Sequence, residues 1–317
     1  MCTYNGVKYV EAQLLSIMSQ LHPVDEIVIC DDRSDDGTVE VIEKLMHDRP
    51  GLIKLFVNEE RLRVSANFEK AIKLCSGDYI FLSDQDDTWH SDKVSTILQW
   101  FDEHPNKDVV FSNARIVDKD GVLLTDKTLF DISGLNRRAL KWFDNGLAPE
   151  MFLFVCRAGG LNMAMRKAFV PKVHVNTSAY KVSRGAIHDE MIALCAIGYD
   201  ALGHCDKSLL DYRLHGNNTE GLCYKSVFKT PSPYRSFVIN LSRYGELPPN
   251  LWEKALFINE RASWKYSDGL IMILKNFSKY HRFYGKRSWR YISFDTWDWL
   301  GRAFFRLNSF FKRSISK

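Results

Sequence analysis

Short apolar runs alternate with segments of helical periodicity over the first 115 residues of the sequence. Apolar side chains recur every three or four residues from Val10 to Leu21, which predicts a helix over residues 7–20. The next run, residues 26–30, is continuously apolar after Glu26, as is typical of a strand that is buried on both faces. The alternation predicts an α/β fold with a mostly parallel sheet and helices on both of its faces.

The same pattern continues along the chain and then becomes less regular. Helices are predicted over residues 38–47, 65–75 and 91–103, and strands over residues 53–57, 78–82 and 109–111. Ser65 is the expected cap of the third helix. Later in the chain we expect strands over residues 161–165 and 208–214 and a helix over residues 188–197.

One expected element is missing at the start of the sequence. The turn formed by residues 3–6 has the character of the exit from a strand, yet no apolar run precedes it. Two explanations stay open: the true start lies further upstream, or the protein lacks the first strand of its sheet. We expect the first explanation, because the loss of a central strand would leave its neighbours unpaired.

Composition excludes several classes of protein. The 317 residues are 45% hydrophobic and 26% charged, which is typical of a chain that forms a core and not of a disordered or fibrous protein. No segment is apolar over the roughly 18 residues that a membrane span requires, and the first residues do not resemble a signal peptide. Seven scattered cysteines without Cys-x-x-Cys spacing argue against a disulfide framework or a zinc site. We therefore expect a cytoplasmic protein.

Charge is unevenly distributed, which predicts two parts. Residues 275–317 hold 11 Lys or Arg against two acidic residues. We expect a first part over residues 1–221 and a basic, aromatic, mainly helical extension over residues 222–317. Within residues 295–313 an apolar stripe with basic flanks is typical of a helix that lies on the inner face of an anionic membrane. Packing on the first part of the chain or on a second subunit is the alternative, and no nucleic-acid motif accompanies the tail.

Two acidic groups follow predicted strands, at the sheet edge where open α/β sheets bind ligands. Asp31 and Asp32 follow one strand, where they could equally cap a helix or form a turn. Asp84, Asp86 and Asp87 follow another, and three carboxylates in four residues repel one another unless a divalent cation neutralises them. Oxygen ligands favour Mg²⁺ or Mn²⁺ over zinc. A solvated loop is the alternative for this group.

Two further clusters carry groups suited to catalysis. Asp189 follows His188 at the predicted start of a helix. A carboxylate at this position is either a capping group stabilised by the helix dipole or a general base. Arg213 and His215 lie beside a glycine turn, where they could clamp a phosphate or add a metal ligand. A plain surface turn is the alternative for this second cluster.

Taken together, these motifs resemble glycosyltransferase family 2. Five motifs follow one another in the same order as in that family: Thr3-Tyr-Asn-Gly6, Asp31-Asp32, Asn67-Phe-Glu69, the run from Gly77 to Trp89, and His188-Asp189. The Asp84-Gln-Asp-Asp87 form, with Tyr212-Arg-x-His-Gly-Asn-Asn218, is most similar to the bacterial rhamnosyltransferase-like branch. The resemblance covers about residues 1–221, and its run over residues 77–89 is specific.

The resemblance implies a GT-A fold and a set of site residues. Tyr4, Asp31 and Asp32 would hold the nucleobase. Asp84 and Asp86 match the Asp-x-Asp motif that binds the donor diphosphate and a Mn²⁺ or Mg²⁺ ion, with Asp86 as the direct metal ligand. Asp189 would be the catalytic base and His215 a further metal ligand, while Arg213 would stabilise the leaving diphosphate. Arg63 stands where the family usually has glycine. Its side chain could reach the donor phosphates, or the arginine could be a tolerated change at the surface.

The implied function is that of an inverting glycosyltransferase. It would move a sugar from a nucleotide-diphosphate donor to a hydroxyl of a glycan or lipid-linked acceptor in bacterial surface polysaccharide synthesis, with rhamnose suggested by likeness. One alternative is an inactive or truncated homologue that serves as a binding subunit. Another is a nucleotidyltransferase, which would normally show a glycine-rich, basic phosphate loop near its start.

Overall fold

The computed structural model describes residues 1–133, 135, 137–144, 162–173, 188–216 and 218. Within these residues the chain forms a three-stranded sheet and a five-stranded sheet, with helices packed on them. The predicted α/β class is confirmed. The predicted domain boundary near residue 221 and the predicted helix within residues 295–313 lie outside the described residues and stay predictions.

The first sheet is wholly parallel. Its strands are β1 (Cys2–Thr3), β2 (Ile27–Asp31) and β3 (Ile53–Val57), and β2 lies between the other two. The helices of this half are α1 (Val10–Met18), α2 (Thr38–Asp48) and α3 (Arg63–Leu74). Every residue of β2 is buried, as its continuous apolar run predicts for a strand covered on both faces.

The second sheet is mixed. Its spatial order is β4 (Tyr79–Phe81), β7 (Met163–Arg166), β6 (Val109–Val117), β8 (Leu202–Arg213) and β5 (Thr88–Trp89). Strands β6 and β8 pair in parallel, and the other three pairings are antiparallel. The remaining helices are α4 (Lys93–Glu103), α5 (Leu129–Ser133), α6 (Arg137–Trp142) and α7 (His188–Gly198), and a 3₁₀ helix spans Lys167–Lys172.

The structure contains a first strand, so the explanation that the sheet lacks this strand is wrong. Cys2 and Thr3 form β1 and pair in parallel with Cys30 and Asp31. The ladder includes a bond of 3.1 Å from the Cys30 N–H to the Met1 carbonyl, and the terminal ammonium of Met1 donates to the Val28 carbonyl. Two residues are too few to show any periodicity, so the sequence pattern could not reveal this strand. The turn after β1 is therefore anchored to the sheet.

A cap on α3 also differs from the prediction. The helix begins at Arg63, and Ser65 lies inside its first turn. The backbone N–H groups of Leu62 and Arg63 donate to the carboxylate of Asp32, at 2.6 and 2.8 Å. A carboxylate at the start of a helix accepts from N–H groups that have no partner within the helix, and its negative charge is stabilised by the helix dipole. The cap therefore comes from the end of β2, not from the helix's own sequence.

A shared core joins α1 to both sheets. Its buried members include Leu14 of α1, Ile29 of β2, Trp89 of β5 and Leu210 of β8. The buried side chain of Gln13 adds a polar tie, because its Nε2 donates to Ser83 Oγ at 2.8 Å. Helix α1 thus holds the loop after β4 in place beside the first sheet. Among the described residues, no helix has the length and apolar character needed to cross a membrane.

The backbone at Arg63 is strained. Its φ is +67°, in the left-handed region that glycine adopts without cost and other residues adopt at about 1–2 kcal/mol. The family's usual glycine at this position therefore has a conformational reason. In this chain an exposed arginine takes the same conformation.

We expect Arg63→Gly to stabilise the protein. Relief of the left-handed conformation outweighs the added freedom of the unfolded chain, for a net gain of about 0.5–1 kcal/mol, which corresponds to about 2 °C in melting temperature. Thermal melting measures the change. Arg49→Gly is the control, because Arg49 is also exposed but has a φ of −134°. Equal losses of stability in both variants would contradict the interpretation.

Candidate active site

Three carboxylates lie together in the loop after β4. Asp84, Asp86 and Asp87 each place an oxygen within 4.8 Å of the others. Asp87 is only 1% exposed; one of its oxygens accepts from the Arg213 N–H at 3.1 Å, and the other has no hydrogen-bond partner among the described residues. The metal and donor roles are predicted for Asp86 and Asp84, and Asp87 is a third carboxylate of the same cluster.

The electrostatics of this cluster are unfavourable without a cation. Burial, reinforced by the charges of Asp86 and Asp189, raises the pKa of Asp84 to about 7. Burial, reinforced by the charges of Asp86 and Asp84, raises the pKa of Asp87 well above its usual value. Burial also lowers the pKa of Lys93 to about 7, although the charges of Asp87 and Asp84 oppose that shift. A divalent cation among these oxygens would relieve the repulsion, and the buried oxygen of Asp87 fits such a ligand set.

His215 lies against this cluster. Its Nε2 is 2.7 Å from Asp86 Oδ2, and its role as a further metal ligand stays a prediction. The ring stacks on Tyr9, with 4.8 Å between ring centroids. Asn218 fixes the turn, because its Oδ1 accepts from the His215 N–H at 2.9 Å. Tyr9 was missed at the sequence level, since nothing local distinguishes it from a residue at the start of a helix.

Arg213 holds the acidic loop from the other side. Its Nε donates to the Asp86 carbonyl at 2.9 Å, and its Nη1 donates to the Lys119 carbonyl at 3.2 Å. The guanidinium carbon also lies 5.3 Å from the centre of the Tyr9 ring. Arg213 therefore orders the loop that carries the carboxylates, and its predicted contact with the donor diphosphate stays a prediction.

Asp189 lies at the start of α7, close to the acidic cluster. Both His188 and Asp189 are buried, and the charge of Asp189 acts on Asp84. The His188 ring stacks on Phe68 of α3, with 3.8 Å between centroids, and burial lowers the pKa of His188 to about 3. His188 is therefore neutral and fixes the end of α7 against α3. The charge of Asp189 thus reaches Asp84, and the role of Asp189 as the catalytic base stays a prediction.

The residues expected at the nucleobase lie at the carboxyl ends of β1 and β2. Asp31 is fully buried, and its carboxylate accepts from Thr3 Oγ1, Ser34 Oγ and the Ser34 N–H at 2.6, 2.6 and 2.8 Å. Asp32 caps α3 and also accepts from Asn58 Nδ2 at 2.9 Å. Asp31 thus stabilises the turn after β2, and Asp32 caps a helix, as the alternative interpretations of these residues state. Contact of either residue with a nucleobase stays a prediction.

Tyr4 is the exposed member of that group. The guanidinium carbon of Arg61 lies 3.6 Å from the centre of its ring, and Arg61 Nε is 3.9 Å from Asp32 Oδ2. The structure places Arg63 at the exposed start of α3, with its backbone N–H on Asp32. One face of the Tyr4 ring is thus covered by an arginine that sequence reasoning did not single out. The predicted roles of Tyr4 and Arg63 at the donor stay predictions.

Comparison with known sequences identifies the family. The sequence model described as Glycosyl transferase family 2 matches residues 1–169, which is more than half of the chain. The chain belongs to glycosyltransferase family 2.

Curated relatives agree with this family. The putative teichuronic acid biosynthesis glycosyltransferase TuaG of Bacillus subtilis is 31% identical over 235 residues, which cover 74% of this chain and 84% of TuaG. The dTDP-rhamnosyl transferase RfbG of Shigella flexneri is 35% identical over 118 residues, or 36% of this chain and 38% of RfbG. An uncharacterized protein of Mycobacterium tuberculosis is 30% identical over 122 residues, or 38% of this chain and 35% of that protein. The chain thus aligns with little more than a third of the last two relatives.

Solved structures confirm the GT-A fold. Staphylococcus aureus TarS residues 1–349, solved with UDP, superpose with a TM-score of 0.54 at 17% identity, covering 84% of this chain and 72% of that one. The same TarS segment solved with UDP-GlcNAc gives a TM-score of 0.54 at 18% identity, covering 84% of this chain and 73% of that one.

The raised pKa of Asp84 predicts how stability depends on pH. Between its usual value of 3.8 and about 7, the folded state holds a proton that the unfolded chain releases, so stability falls as pH rises through this window. We expect the metal-free Asp84→Asn variant to exceed wild type at pH 8 by on the order of 2 kcal/mol. Near pH 4 the two should be equally stable.

Denaturant unfolding across pH 4–8 in the presence of a chelator measures this difference. Asp102→Asn is the control, because Asp102 is an exposed residue of α4 and its substitution should change stability little at any pH. An Asp84 variant that is no more stable than wild type at pH 8 would contradict a charged Asp84 that is destabilised by burial and by its neighbouring carboxylates.

Proposed function

We propose that this chain is a metal-dependent, inverting glycosyltransferase that moves a sugar from a nucleotide-diphosphate donor to a hydroxyl group of its acceptor. The observation that carries the proposal is the cluster of Asp84, Asp86 and Asp87, with the charge of the buried Asp189 acting on Asp84. Family membership supports the reaction class. The cluster supports a cation site, and Asp189 is a separate carboxylate whose charge reaches it.

The cation would be Mn²⁺ or Mg²⁺. Asp86, with oxygens from Asp84 or Asp87 and the Nε2 of His215, would hold it. When bound, such an ion neutralises negative charge on the leaving diphosphate. Arg213 keeps the ligand-bearing loop in position through the Asp86 carbonyl, and its positive charge adds to the field at this end of the site.

Asp189 is the proposed general base. Its carboxylate takes the proton of the acceptor hydroxyl as that oxygen bonds to the anomeric carbon of the sugar. The bond from the same carbon to the diphosphate oxygen breaks on the opposite face, and its electron pair leaves with the diphosphate. One displacement of this kind inverts the configuration at the anomeric carbon, and charge develops on the sugar as in glycoside cleavage.

The acceptor would be a glycan or lipid-linked glycan in bacterial surface polysaccharide synthesis. The names of TuaG and RfbG, a teichuronic acid enzyme and a dTDP-rhamnosyl transferase, support this class of pathway and make dTDP-rhamnose the first donor to test. Peripheral contact with the inner face of an anionic membrane through residues 295–313 is part of the proposal, since it would bring the site to a lipid-linked acceptor.

A donor screen tests the proposal. We expect one of dTDP-rhamnose, UDP-GlcNAc and related nucleotide sugars to bind in calorimetry only, or at least tenfold more tightly, when Mn²⁺ is present. Asp86→Ala should abolish this metal-dependent gain, because it removes the central ligand. Asp102→Asn, on the exposed face of α4, should bind as wild type does.

An inactive homologue would give a different result. If no nucleotide sugar binds to the wild-type chain with either Mn²⁺ or Mg²⁺, the enzyme assignment fails and the binding-subunit alternative takes its place.

Replacement of the general base Asp189 should lower the turnover rate without weakening donor binding. A positioned base typically contributes a rate factor of about 10²–10⁴, so Asp189→Asn should lower turnover by that order while donor affinity stays within a few-fold of wild type. Single-turnover transfer or donor hydrolysis, with calorimetry beside it, measures both quantities. Turnover near the wild-type rate would show that the proton goes to another group.

A further inference from the structure

The side chain of Gln85 joins the acidic loop to the turn after β1. Its Oε1 accepts a hydrogen bond from the Tyr4 N–H at 2.9 Å, and its Nε2 donates to the Tyr4 carbonyl at 3.0 Å. One amide thus satisfies both backbone groups of Tyr4, in the way a neighbouring strand would. Gln85 lies between Asp84 and Asp86, so the contact connects the proposed cation site with the proposed nucleobase site.

Gly6 shows how closely the Gln85 amide approaches this turn. A Cβ placed on Gly6 would lie 2.2 Å from Gln85 Oε1 and 2.4 Å from its Cδ, which no real side chain allows. The φ of Gly6 lies outside the left-handed region, so the backbone conformation itself would accept alanine. The need for glycine at this position therefore comes from the Gln85 amide.

The backbone on either side of Gln85 is held by other side chains. Gln13 Nε2 donates to the Asp84 carbonyl at 3.2 Å, and Arg213 Nε donates to the Asp86 carbonyl at 2.9 Å. The loop is therefore fixed from α1 on one side and from β8 on the other. A change in the position of its carboxylates is passed directly to Tyr4 through the Gln85 amide.

We propose that Gln85 is a positioning residue that couples cation binding by the acidic cluster to nucleotide binding at the turn of residues 3–6. The inference rests on the proposed function. A cation that draws the carboxylates of Asp84 and Asp86 together shifts Gln85 between them, and the Gln85 amide shifts Tyr4 with it. The gain in affinity is the same in both directions. Gln85 itself needs no contact with either ligand.

The test is a double-mutant cycle in which calorimetry measures the dissociation constants of the metal and of the nucleotides. The variants are Gln85→Ala, Gly6→Ala and the double variant, titrated with Mn²⁺ alone and with UDP, dTDP and GDP in the presence and absence of Mn²⁺. The coupling is the ratio of the nucleotide dissociation constants without and with Mn²⁺. Gln99→Ala is the control, because Gln99 is an exposed glutamine on α4 that pairs with Glu103.

We expect Gln85→Ala to lower the coupling about fivefold to tenfold while the affinity for Mn²⁺ alone changes less than twofold, because no proposed ligand is lost. Gly6→Ala should produce the same defect by displacing the amide. The double variant should match Gln85→Ala and not show the product of both losses, since the added methyl group then has room. Gln99→Ala should leave the coupling unchanged.

Gln85→Met separates hydrogen bonding from fold stability, because it keeps the length of the side chain and loses both bonds to Tyr4. It should lose the coupling even if its melting temperature equals that of wild type. Wild-type coupling in both Gln85 variants, or independent losses in the double variant, would overturn the inference while leaving the proposed function intact. Failure of wild type to bind any of the three nucleotides would instead overturn the proposed function, and the inference with it.

Discussion

Repulsion among the carboxylates after β4 is the constraint on which the arrangement of the site depends. Asp84, Asp86 and Asp87 occupy a partly buried loop, where like charges interact more strongly than they do in water. Such a loop would open unless other groups held it. Gln13 and Arg213 supply that restraint, through carbonyls on either side of Gln85 and through the carboxylate of Asp87.

These restraints explain why the site needs both sheets. The acidic loop follows β4 of the second sheet, whereas Tyr4 follows β1 and Asp31 is the last residue of β2 in the first sheet. Helix α1 packs its apolar face into a core shared by β2, β5 and β8, and its polar Gln13 reaches the loop. Tyr9, just before that helix, meets both His215 and Arg213. The region around α1 is therefore the structural link between the two halves of the site.

Features that depend on local sequence could be predicted, and features that depend on distant contacts could not. The apolar runs of β2 and β3 and the periodicity of α2 and α4 gave elements within two residues of those observed. Strand β1 is too short to have a pattern, and the antiparallel pairings of β5 and β7 depend on partners far along the chain. The acidic cluster was visible because its charges are adjacent in sequence. The roles of Gln85 and Tyr9 were hidden, since each becomes clear only from its contact with a residue more than 80 positions away.

The closed set of hydrogen bonds around Asp31 has a consequence for how a base could be recognised. Its carboxylate is fully buried and accepts three hydrogen bonds from Thr3 and Ser34, so a base could reach it only after a movement such as rotation of the Ser34 side chain. The Ser34 hydroxyl also accepts from the Asn5 N–H, so that rotation would release Asn5 as well. Discrimination among pyrimidines and purines at this carboxylate would then be an induced-fit event with its own kinetic step. Stacking on the exposed Tyr4 ring would need no such rearrangement.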